Sequence, residues 1–488
     1  MAELVDFHQS DGCLATITVV AKRSFGCTDE DGEHFYFSAL NAELHTNMVK
    51  VPDSTNFPKR KRLAVILPNE YRGGTVRLMV SLLRYFQQES DFELVLGMPT
   101  GHRANIQHQL SSLAQHSNAV SYREFTWETI PLEQAKAYML NHGIEIDHFV
   151  SKEYCLLADS CDHFLDCDFW FFISDRIGLP LLPLKPYGIL VTDHLQRYVP
   201  SIFESIAYEN RDSIIVNYLR NVRNADLAVA TSSATLADLI TYSGVRGELV
   251  RLPTLIDGEY FQSLQKTERS QCKFVPNCPY FVWVTNTAIH KNHLRAIETL
   301  ASYYECSEEP IDVVVTGVNT DLFSPQLSEI AKRGREGILR IPYIQEVRAA
   351  IQDRLGPWLS RIRFAGEVSD EDYCSILTSA KFLWHNVIAD NGTFSVIEAA
   401  VLGTPSVTSD YPQMRELNES IGLSMEFFDP YCYHSATLAI QKAAVRSRIN
   451  MVRTEKNVGR FHFSNWGGQL RDAIIKCQNS PRRRIECL

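Results

Sequence analysis

The feature that most constrains the fold is a fully apolar segment, residues 63–67, which is followed by a glycine turn and a helical pattern. The turn contains Gly73 and Gly74, the helical pattern extends through Phe86, and a second apolar segment occupies residues 93–96. Continuous apolar segments of this kind are typical of parallel strands that are covered on both faces. The order of strand, glycine turn, helix and strand therefore predicts a doubly wound α/β domain.

The same order restarts near Pro279. There, residues 280–284 and 311–316 are predicted strands, and residues 293–304 between them are a predicted helix. The sequence thus predicts two successive Rossmann-like domains, at residues 58–265 and 278–455. Further predicted strands lie at residues 169–173, 188–191, 227–230, 362–364 and 382–384.

Residues 1–57 do not follow this order. Alternating apolar and polar segments at residues 15–20 and 34–38, separated by glycine turns, predict a small β-rich N-terminal extension with a linker. Because the extension lies outside both predicted α/β domains, it is a candidate for homo-oligomerisation or docking.

The composition limits the class of protein. Of the 488 residues, 45% are hydrophobic and 22% are charged, which is typical of a soluble globular protein, and the formal net charge of −10 argues against nucleic-acid binding. No signal-peptide pattern and no run of about 18 apolar residues occurs, so we expect a cytoplasmic protein. The basic run at residues 482–484 leaves peripheral contact with the inner face of a membrane open. The twelve cysteines lack the spacing of common zinc sites, and we expect no metal.

Two acidic residues flank a predicted helix start in the second domain. Asp390 lies in a polar, glycine-containing turn, and Glu398 lies eight positions further on. Phosphates bind at helix N-termini, and carboxylates accept hydrogen bonds from sugar hydroxyls. An alternative interpretation is a helix capping box, Ser395-x-x-Glu398, in which the carboxylate binds the backbone locally. A helix that begins at Thr393 or the residue before it would instead have about three turns and place Phe394, Ser395 and Glu398 on one face.

A charged loop follows the first predicted strand of the second domain. It contains Asn286, Lys291 and Asn292 and lies at the carboxyl edge of the predicted sheet, where ligands of open α/β sheets bind. A lysine at this edge is a suitable counter-charge for a diphosphate. Most charged loops are simply solvated. The interpretation of this loop as a diphosphate site therefore rests on its position at the carboxyl edge of the sheet.

These motifs resemble the signatures of the retaining glycosyltransferases of family 4. The acidic pair resembles the E-x7-E motif of that family, with Asp390 in place of the first Glu, and Lys291 with Asn292 resembles its Lys-Asn element. The family often has an Arg six residues before this Lys, where this chain has Thr285. The second positive charge is therefore absent or comes from elsewhere, and Arg295 is a candidate.

Two further elements resemble the same family in the first domain. Gly73 and Gly74 resemble its N-terminal glycine-rich loop, in which glycine lets the backbone approach a ligand closely. Many members also carry His-Asp after a later strand, and this chain has the reversed order, Asp193 and His194. Either residue is then a candidate for contact with the transferred sugar.

The resemblance covers about residues 60–460 and implies an α/β fold of the GT-B type, with two Rossmann-like, doubly wound domains around a cleft. It also implies that residues 456–488 include a helix that packs back on the first domain, followed by a tail. The implied catalytic residues are Asp390, Lys291, Asp193 and His194, and the implied donor-binding residues are Glu398, Asn286, Asn292, Asn391, Gly392, Thr393, Phe394, Ser395, Gly73 and Gly74.

The implied reaction is transfer of a hexose or deoxyhexose from a nucleoside diphosphate sugar to a glycan or glycolipid hydroxyl, with retention of configuration and without metal or cofactor. Mannose from GDP-mannose is the first candidate. Two alternatives stay open. The chain differs from the family motifs at Asp390, at Thr285 and in the reversed Asp-His pair. These differences also fit a non-catalytic partner subunit that binds a nucleotide sugar. A sugar-nucleotide epimerase would need a base in the first domain, where none stands out.

Overall fold

The structure is a computed structural model, and it divides the chain into two compact units, Met1–Lys59 and Arg60–Leu488. In the first unit, strands β1 (Ser24–Thr28) and β2 (His34–Ser38) form an antiparallel hairpin. The predicted strand at residues 34–38 is confirmed, whereas residues 15–20 lie outside the described residues. The structure describes residues 24–28, 34–38, 60–88, 91–110, 113, 120–159, 163–203, 208–254, 272–328, 332–390, 394–446, 463–480 and 485–487.

The first half of the second unit is built on an eight-stranded sheet, hereafter the first domain. Its strands and the short β6 are β3 (Lys61–Ile66), β4 (Phe92–Pro99), β5 (Ser121–Pro131), β6 (Ile146–His148), β7 (Glu153–Asp159), β8 (Phe169–Phe172), β9 (Tyr187–Val191), β10 (Leu227–Ala230) and β11 (Glu248–Arg251). The strand order is β11-β10-β9-β8-β3-β4-β5-β7, and all neighbours are parallel except β5 and β7.

Several strands of this sheet are apolar at every position because both of their faces are covered. In β8, Phe169 and Phe171 belong to one hydrophobic cluster, while Trp170 and Phe172 belong to the cluster on the opposite face. Successive side chains of a strand point to opposite faces, so a doubly covered strand must be apolar at every position. The helices of this domain are α1 (Gly74–Gln88), α2 (Arg103–Leu110), α3 (Leu132–Asn141), α4 (Leu195–Tyr198), α5 (Tyr208–Asn224) and α6 (Ser233–Asp238), with a 3-10 turn at Pro200–Phe203 and a π turn at Leu239–Ser243.

A second, six-stranded sheet forms the second domain. Its strands are β12 (Tyr280–Val284), β13 (Asp312–Thr316), β14 (Ile362–Gly366), β15 (Leu383–His385), β16 (Ser406–Ser409) and β17 (Glu426–Phe428). All neighbours are parallel, in the order β14-β13-β12-β15-β16-β17. Its helices are α7 (His293–Cys306), α8 (Glu336–Leu339), α9 (Pro342–Leu355), α10 (Asp370–Ser379), α11 (Phe394–Val401), α12 (Pro412–Ile421) and α13 (Tyr433–Val445), with 3-10 turns at Ile289–Lys291, Thr320–Phe323 and Gly356–Arg361.

The last helix, α14 (Phe463–Asn479), contacts α1 and the edge of the first sheet. Lys476 of this helix donates to Glu248 at 2.6 Å, and Lys61 donates to the side chain of Asn479 at 2.6 Å. A final strand, β18 (Ile485–Cys487), pairs in parallel with β6. Within the described part of the chain, none of the helices is both long enough and apolar enough to cross a membrane.

The strand order of each sheet creates a crevice at its carboxyl edge. In the first sheet the chain proceeds from β3 to β4 on one side, whereas β8 lies against β3 on the other side. In the second sheet, β13 and β15 flank β12 in the same way. Ligands of doubly wound sheets bind where the strand order reverses, so the turns after β3, β8, β12 and β15 are expected to form the site.

Candidate active site

A cavity of about 560 Å³ is lined by the turns after these four strands. The turn after β3 contributes Gly73 and Gly74, and the turn after β8 contributes Arg176. From the second domain, Lys291 follows β12 and Asp390 follows β15. The topology therefore brings residues that are far apart in sequence to one cleft.

The centre of the second-domain wall is an ion pair between Lys291 and Asp390. The Nζ atom of Lys291 donates to Oδ2 of Asp390, and both side chains are at most 12% exposed. Burial would raise the pKa of Asp390, but the neighbouring charge of Lys291 outweighs it and holds that pKa below its ordinary value. The adjacent His290 is also buried, and burial together with Lys291 lowers its pKa to about 3. At neutral pH Asp390 is thus ionised and His290 is neutral.

Glu398 is an almost completely buried carboxylate, with 1% exposure, in the same cavity. Its Oε1 atom accepts a hydrogen bond from Arg77 at 2.7 Å, and its Oε2 atom accepts one from the Tyr373 hydroxyl at 2.8 Å. A capping box requires Ser395 to be the N-cap residue, which precedes the helix, but Ser395 is the second residue of α11. Glu398 therefore binds distant side chains, and the capping-box alternative is not the arrangement found.

Asp193 provides a carboxylate from the first domain. It lines the cavity after β9, and Arg176 donates to its Oδ1 atom at 3.1 Å. Burial raises the pKa of Asp193, Arg176 opposes that effect, and the negative charges of Asp390 and Asp175 add to it, so that the pKa lies at about 6. Asp193 and Asp390 both line the cavity, so carboxylates of the two domains face the same space.

No protein-family model matches the sequence, and no curated protein matches it. Among solved structures, HepE from Anabaena in complex with UDP and glucose is 15% identical, with a TM-score of 0.50 over 86% of this chain and 97% of its own. A glycosyltransferase from Rickettsia africae is 12% identical, with a TM-score of 0.55 over 86% and 100%. The E. coli trehalose-6-phosphate protein bound with UDP-2-fluoroglucose is 10% identical, with a TM-score of 0.53 over 87% and 100%.

The fold is GT-B. The prediction of two Rossmann-like domains around a cleft is therefore confirmed. At identities of 10–15% the likeness extends to the fold alone, and the chemistry of this GT-B cleft has to be argued from its own side chains.

Most of the predicted site residues that the structure describes line the GT-B cleft. They are Gly73, Gly74, Asp193, Asn286, Lys291, Asp390, Phe394, Ser395 and Glu398. Three predicted donor-binding residues, Asn391, Gly392 and Thr393, lie outside the described residues.

Two predicted site residues do not line the cleft. His194 is buried behind it, where its Nε2 atom is 2.7 Å from the hydroxyl of Ser243, and burial lowers its pKa. The reversed Asp-His order thus brings the carboxylate, not the imidazole, to the cavity. Asn292 has a positive φ of 56° at the end of the 3-10 turn, and its side chain donates to the Pro430 carbonyl at 2.7 Å.

Two cations that line the cleft, Arg77 and Arg176, were not among the predicted site residues. Arg295, the candidate for the second positive charge, does not line the cavity and pairs with Glu298 at 2.5 Å. A local signal existed for both: Arg77 lies one helical turn after Gly73 and Gly74, and Arg176 lies three residues after a predicted strand. The sequence alone does not predict which carboxylate Arg77 or Arg176 contacts.

Proposed function

We propose that this chain is a retaining glycosyltransferase that transfers a sugar from a nucleoside diphosphate donor to a hydroxyl acceptor. The observation that carries the proposal is the buried pair of Lys291 and Asp390 at the crevice of the second sheet. It combines a cation for the diphosphate with a carboxylate for the sugar, at the place where doubly wound sheets bind nucleotides.

The leaving diphosphate gains negative charge as its bond to the sugar breaks. Lys291 is the cation that stabilises this charge, and the α11 N-terminus, where Phe394 and Ser395 line the cavity, adds the positive end of a helix dipole. Because the protein supplies this charge, the proposed reaction needs no metal. Glu398 accepts hydrogen bonds from the ribose hydroxyls of the donor.

Asp390 is proposed to bind hydroxyls of the transferred sugar. Asp193, which faces the same space from the first domain, accepts a hydrogen bond from the transferred sugar or from the attacking hydroxyl. The glycan or glycolipid acceptor enters past Gly73 and Gly74, on the first-domain side of the cleft. A glycolipid acceptor would bring the chain to the inner face of a membrane.

For the donor we propose a hexose or deoxyhexose, with GDP-mannose as the first candidate. In support, the exposed residue Glu367 lines the same cavity as Glu398, next to Val368 in the sequence. A carboxylate accepts two hydrogen bonds side by side, and guanine offers two adjacent N–H groups, whereas uracil offers one N–H between two carbonyls. The second candidate is UDP-glucose, because HepE and the E. coli protein were solved with UDP and glucose or with a UDP-glucose analogue.

The test is thermal unfolding with GDP, UDP, dTDP or ADP, each with and without magnesium. One nucleotide is expected to stabilise the protein by about 2.7 kcal/mol at a hundredfold excess over its dissociation constant, independently of magnesium. The variant Lys291→Ala should lose this stabilisation and keep the unliganded fold, as judged by circular dichroism. No stabilisation by any of the four nucleotides would refute the proposed donor site.

A second measurement separates the enzyme from a non-catalytic partner subunit. A glycosyltransferase without acceptor is expected to hydrolyse its nucleotide sugar slowly, because water replaces the acceptor hydroxyl. This hydrolysis should disappear in Lys291→Ala. Nucleotide binding without any hydrolysis or transfer would favour the partner subunit.

A further inference from the structure

The cation that meets the buried carboxylate of Glu398 comes from the other domain. Arg77 belongs to α1 of the first domain and lies 321 residues before Glu398 in the sequence. Among the described residues, Arg77 is the one cation within ion-pair distance of Glu398. The second-domain neighbours of Glu398 are the Tyr373 hydroxyl and the nearby carboxylate of Asp370, which adds negative charge.

Arg77 engages two carboxylates of the second domain at once. Its NH1 group donates to Glu398 and its NH2 group donates to Asp370, each at 2.7 Å, while its guanidinium lies 5.6 Å from the centre of the Tyr373 ring. The planar fork of arginine is suited to such paired contacts, because its donors are held in fixed directions. A lysine at this position would provide charge without the fork.

The start of α1 fixes the position of Arg77 in the cleft. The backbone N–H of Arg77 donates to the carbonyl of Gly73 at 3.0 Å, in the first turn of the helix. A Cβ atom at Gly74 would lie 3.2 Å from the ring of Phe394, at the beginning of α11. The glycines therefore let the first domain approach the helix that carries Glu398 closely enough for Arg77 to reach it.

The contacts leave room for a ligand on the same carboxylate. An ionised carboxylate has about four acceptor sites, and Arg77 and Tyr373 occupy one on each oxygen of Glu398. A buried carboxylate without a counter-charge is strongly disfavoured, and Arg77 supplies this counter-charge to Glu398 from the other domain. The remaining acceptor sites are available to hydroxyl groups.

We propose that Arg77 is a positioning residue that holds the carboxylate of Glu398 in the orientation that accepts the ribose hydroxyls of the donor. This inference rests on the proposed function. It adds that recognition of the donor is shared between the domains, because the residue that orients the ribose carboxylate belongs to the domain opposite. The donor site thus takes side chains from both domains.

The test is selectivity for ribose, because a purely structural role for Arg77 would not change it. The dissociation constants of the preferred nucleoside diphosphate and of its 2′,3′-dideoxy analogue are measured by calorimetry for the wild type and for Arg77→Ala. We expect the wild type to prefer the ribonucleotide by about tenfold or more, equivalent to about 1.4 kcal/mol. The ratio should fall to near one in Arg77→Ala and be partly restored in Arg77→Lys.

A second cross-domain cluster provides the matched control. Glu416 on α12 accepts hydrogen bonds from the Ser233 backbone at 2.8 Å and from Arg251 at 2.9 Å, and both partners belong to the first domain. Glu416→Gln weakens contact between the domains without touching Glu398. Its ribose selectivity should equal that of the wild type.

Each contrary result has a distinct meaning. Full ribose selectivity in Arg77→Ala would overturn the inference, and so would an equal loss of selectivity in Glu416→Gln, which would assign the effect to cleft closure alone. If Arg77→Ala does not fold, Arg77→Lys decides, with unchanged selectivity counting against the inference. A wild type that binds no nucleoside diphosphate would refute the proposed function itself, whereas the other results leave that function standing.

Discussion

At the residue scale, Asp193 and Asp390 are two buried carboxylates of one cavity with opposite electrostatic surroundings. Lys291 is in direct contact with Asp390 and keeps its pKa low. Arg176 contacts Asp193, but burial and two nearby negative charges prevail, and the pKa of Asp193 lies at about 6. Carboxylates whose pKa values are pushed apart in one cleft are typical of sites with divided chemical roles.

The pKa of Asp193 predicts a pH dependence of stability. Between about pH 4 and pH 6 the folded chain holds a proton on Asp193 that the unfolded chain releases. The stability that this proton contributes is fully present below about pH 4 and is lost as the pH rises through about 6. Asp193→Asn should therefore gain stability relative to the wild type across this interval, by up to about 3 kcal/mol between pH 4 and pH 8.

Urea unfolding at several pH values measures this gain. Asp410, whose pKa is lowered by its hydrogen bonds with Arg415, is the control of opposite sign. The variant Asp410→Asn should lose stability relative to the wild type as the pH rises from acid values. A difference between Asp193→Asn and the wild type that does not change with pH would show that the pKa of Asp193 is unshifted.

At the scale of elements, the turns after β12 and β13 touch through their backbones. Gly317, directly after β13, has a φ of +131°, and a Cβ atom there would lie 1.8 Å from the carbonyl oxygen of Thr285. The same residue donates its N–H to the Gly366 carbonyl at 2.9 Å, at the end of β14. Glycine at this position therefore lets three neighbouring turns pack together at the edge that carries Lys291.

Gly317→Ala is expected to disturb both stability and donor binding. The added methyl group must displace the turn of Thr285, and overpacking of this kind costs about 1–3 kcal/mol. Because that turn leads to Lys291, the stabilisation by nucleotide should also decrease. Gly337→Ala is the control, since a Cβ atom at Gly337 meets nothing within 4 Å. Equal melting temperatures for the two variants, measured with and without nucleotide, would contradict the assigned role of Gly317.

The elements differ in how far the sequence predicts them. Strands such as β8, β10 and β12 are recognisable because burial on both faces makes each residue apolar, which is a local property. The antiparallel pairing of β5 with β7 was not predicted, because in β5 just two residues, Phe125 and Ile130, are buried and the pairing partner is set by distant contacts. Strand composition is local, whereas strand pairing is not.

The same distinction applies to the site. The sequence indicates Lys291, Asp390 and Glu398 because they follow predicted strands or a glycine turn and resemble known glycosyltransferase motifs. It does not indicate the contact between Arg77 and Glu398, since that contact exists only once two separate sheets face each other. Cross-domain partners have no spacing signal, and the structure is needed to find them.

At the scale of the whole molecule, the chain leaves the second domain and returns to the first through α14. This helix crosses α1 at Gly467, where a Cβ atom would lie 2.2 Å from the ring of Tyr85. Leu470 and Ile474 of the same helix are fully buried in the core of the first domain. The helix thus fastens the end of the second domain to α1, the helix whose first turn carries Arg77.

Two neighbouring glycines allow a matched test of this fastening. Gly467→Ala must push α14 away from Tyr85, at a cost of about 1–3 kcal/mol that exceeds the helix propensity gained. Gly468→Ala meets nothing within 4 Å and should stabilise the same helix by up to about 1 kcal/mol. The melting temperatures of the two variants, measured by calorimetry, should therefore change in opposite directions.

If both substitutions raise the melting temperature, α14 does not press on α1 in solution. If Gly467→Ala also weakens nucleotide binding, the loosened α1 has carried Arg77 away from Glu398, and the return helix takes part in closing the donor site.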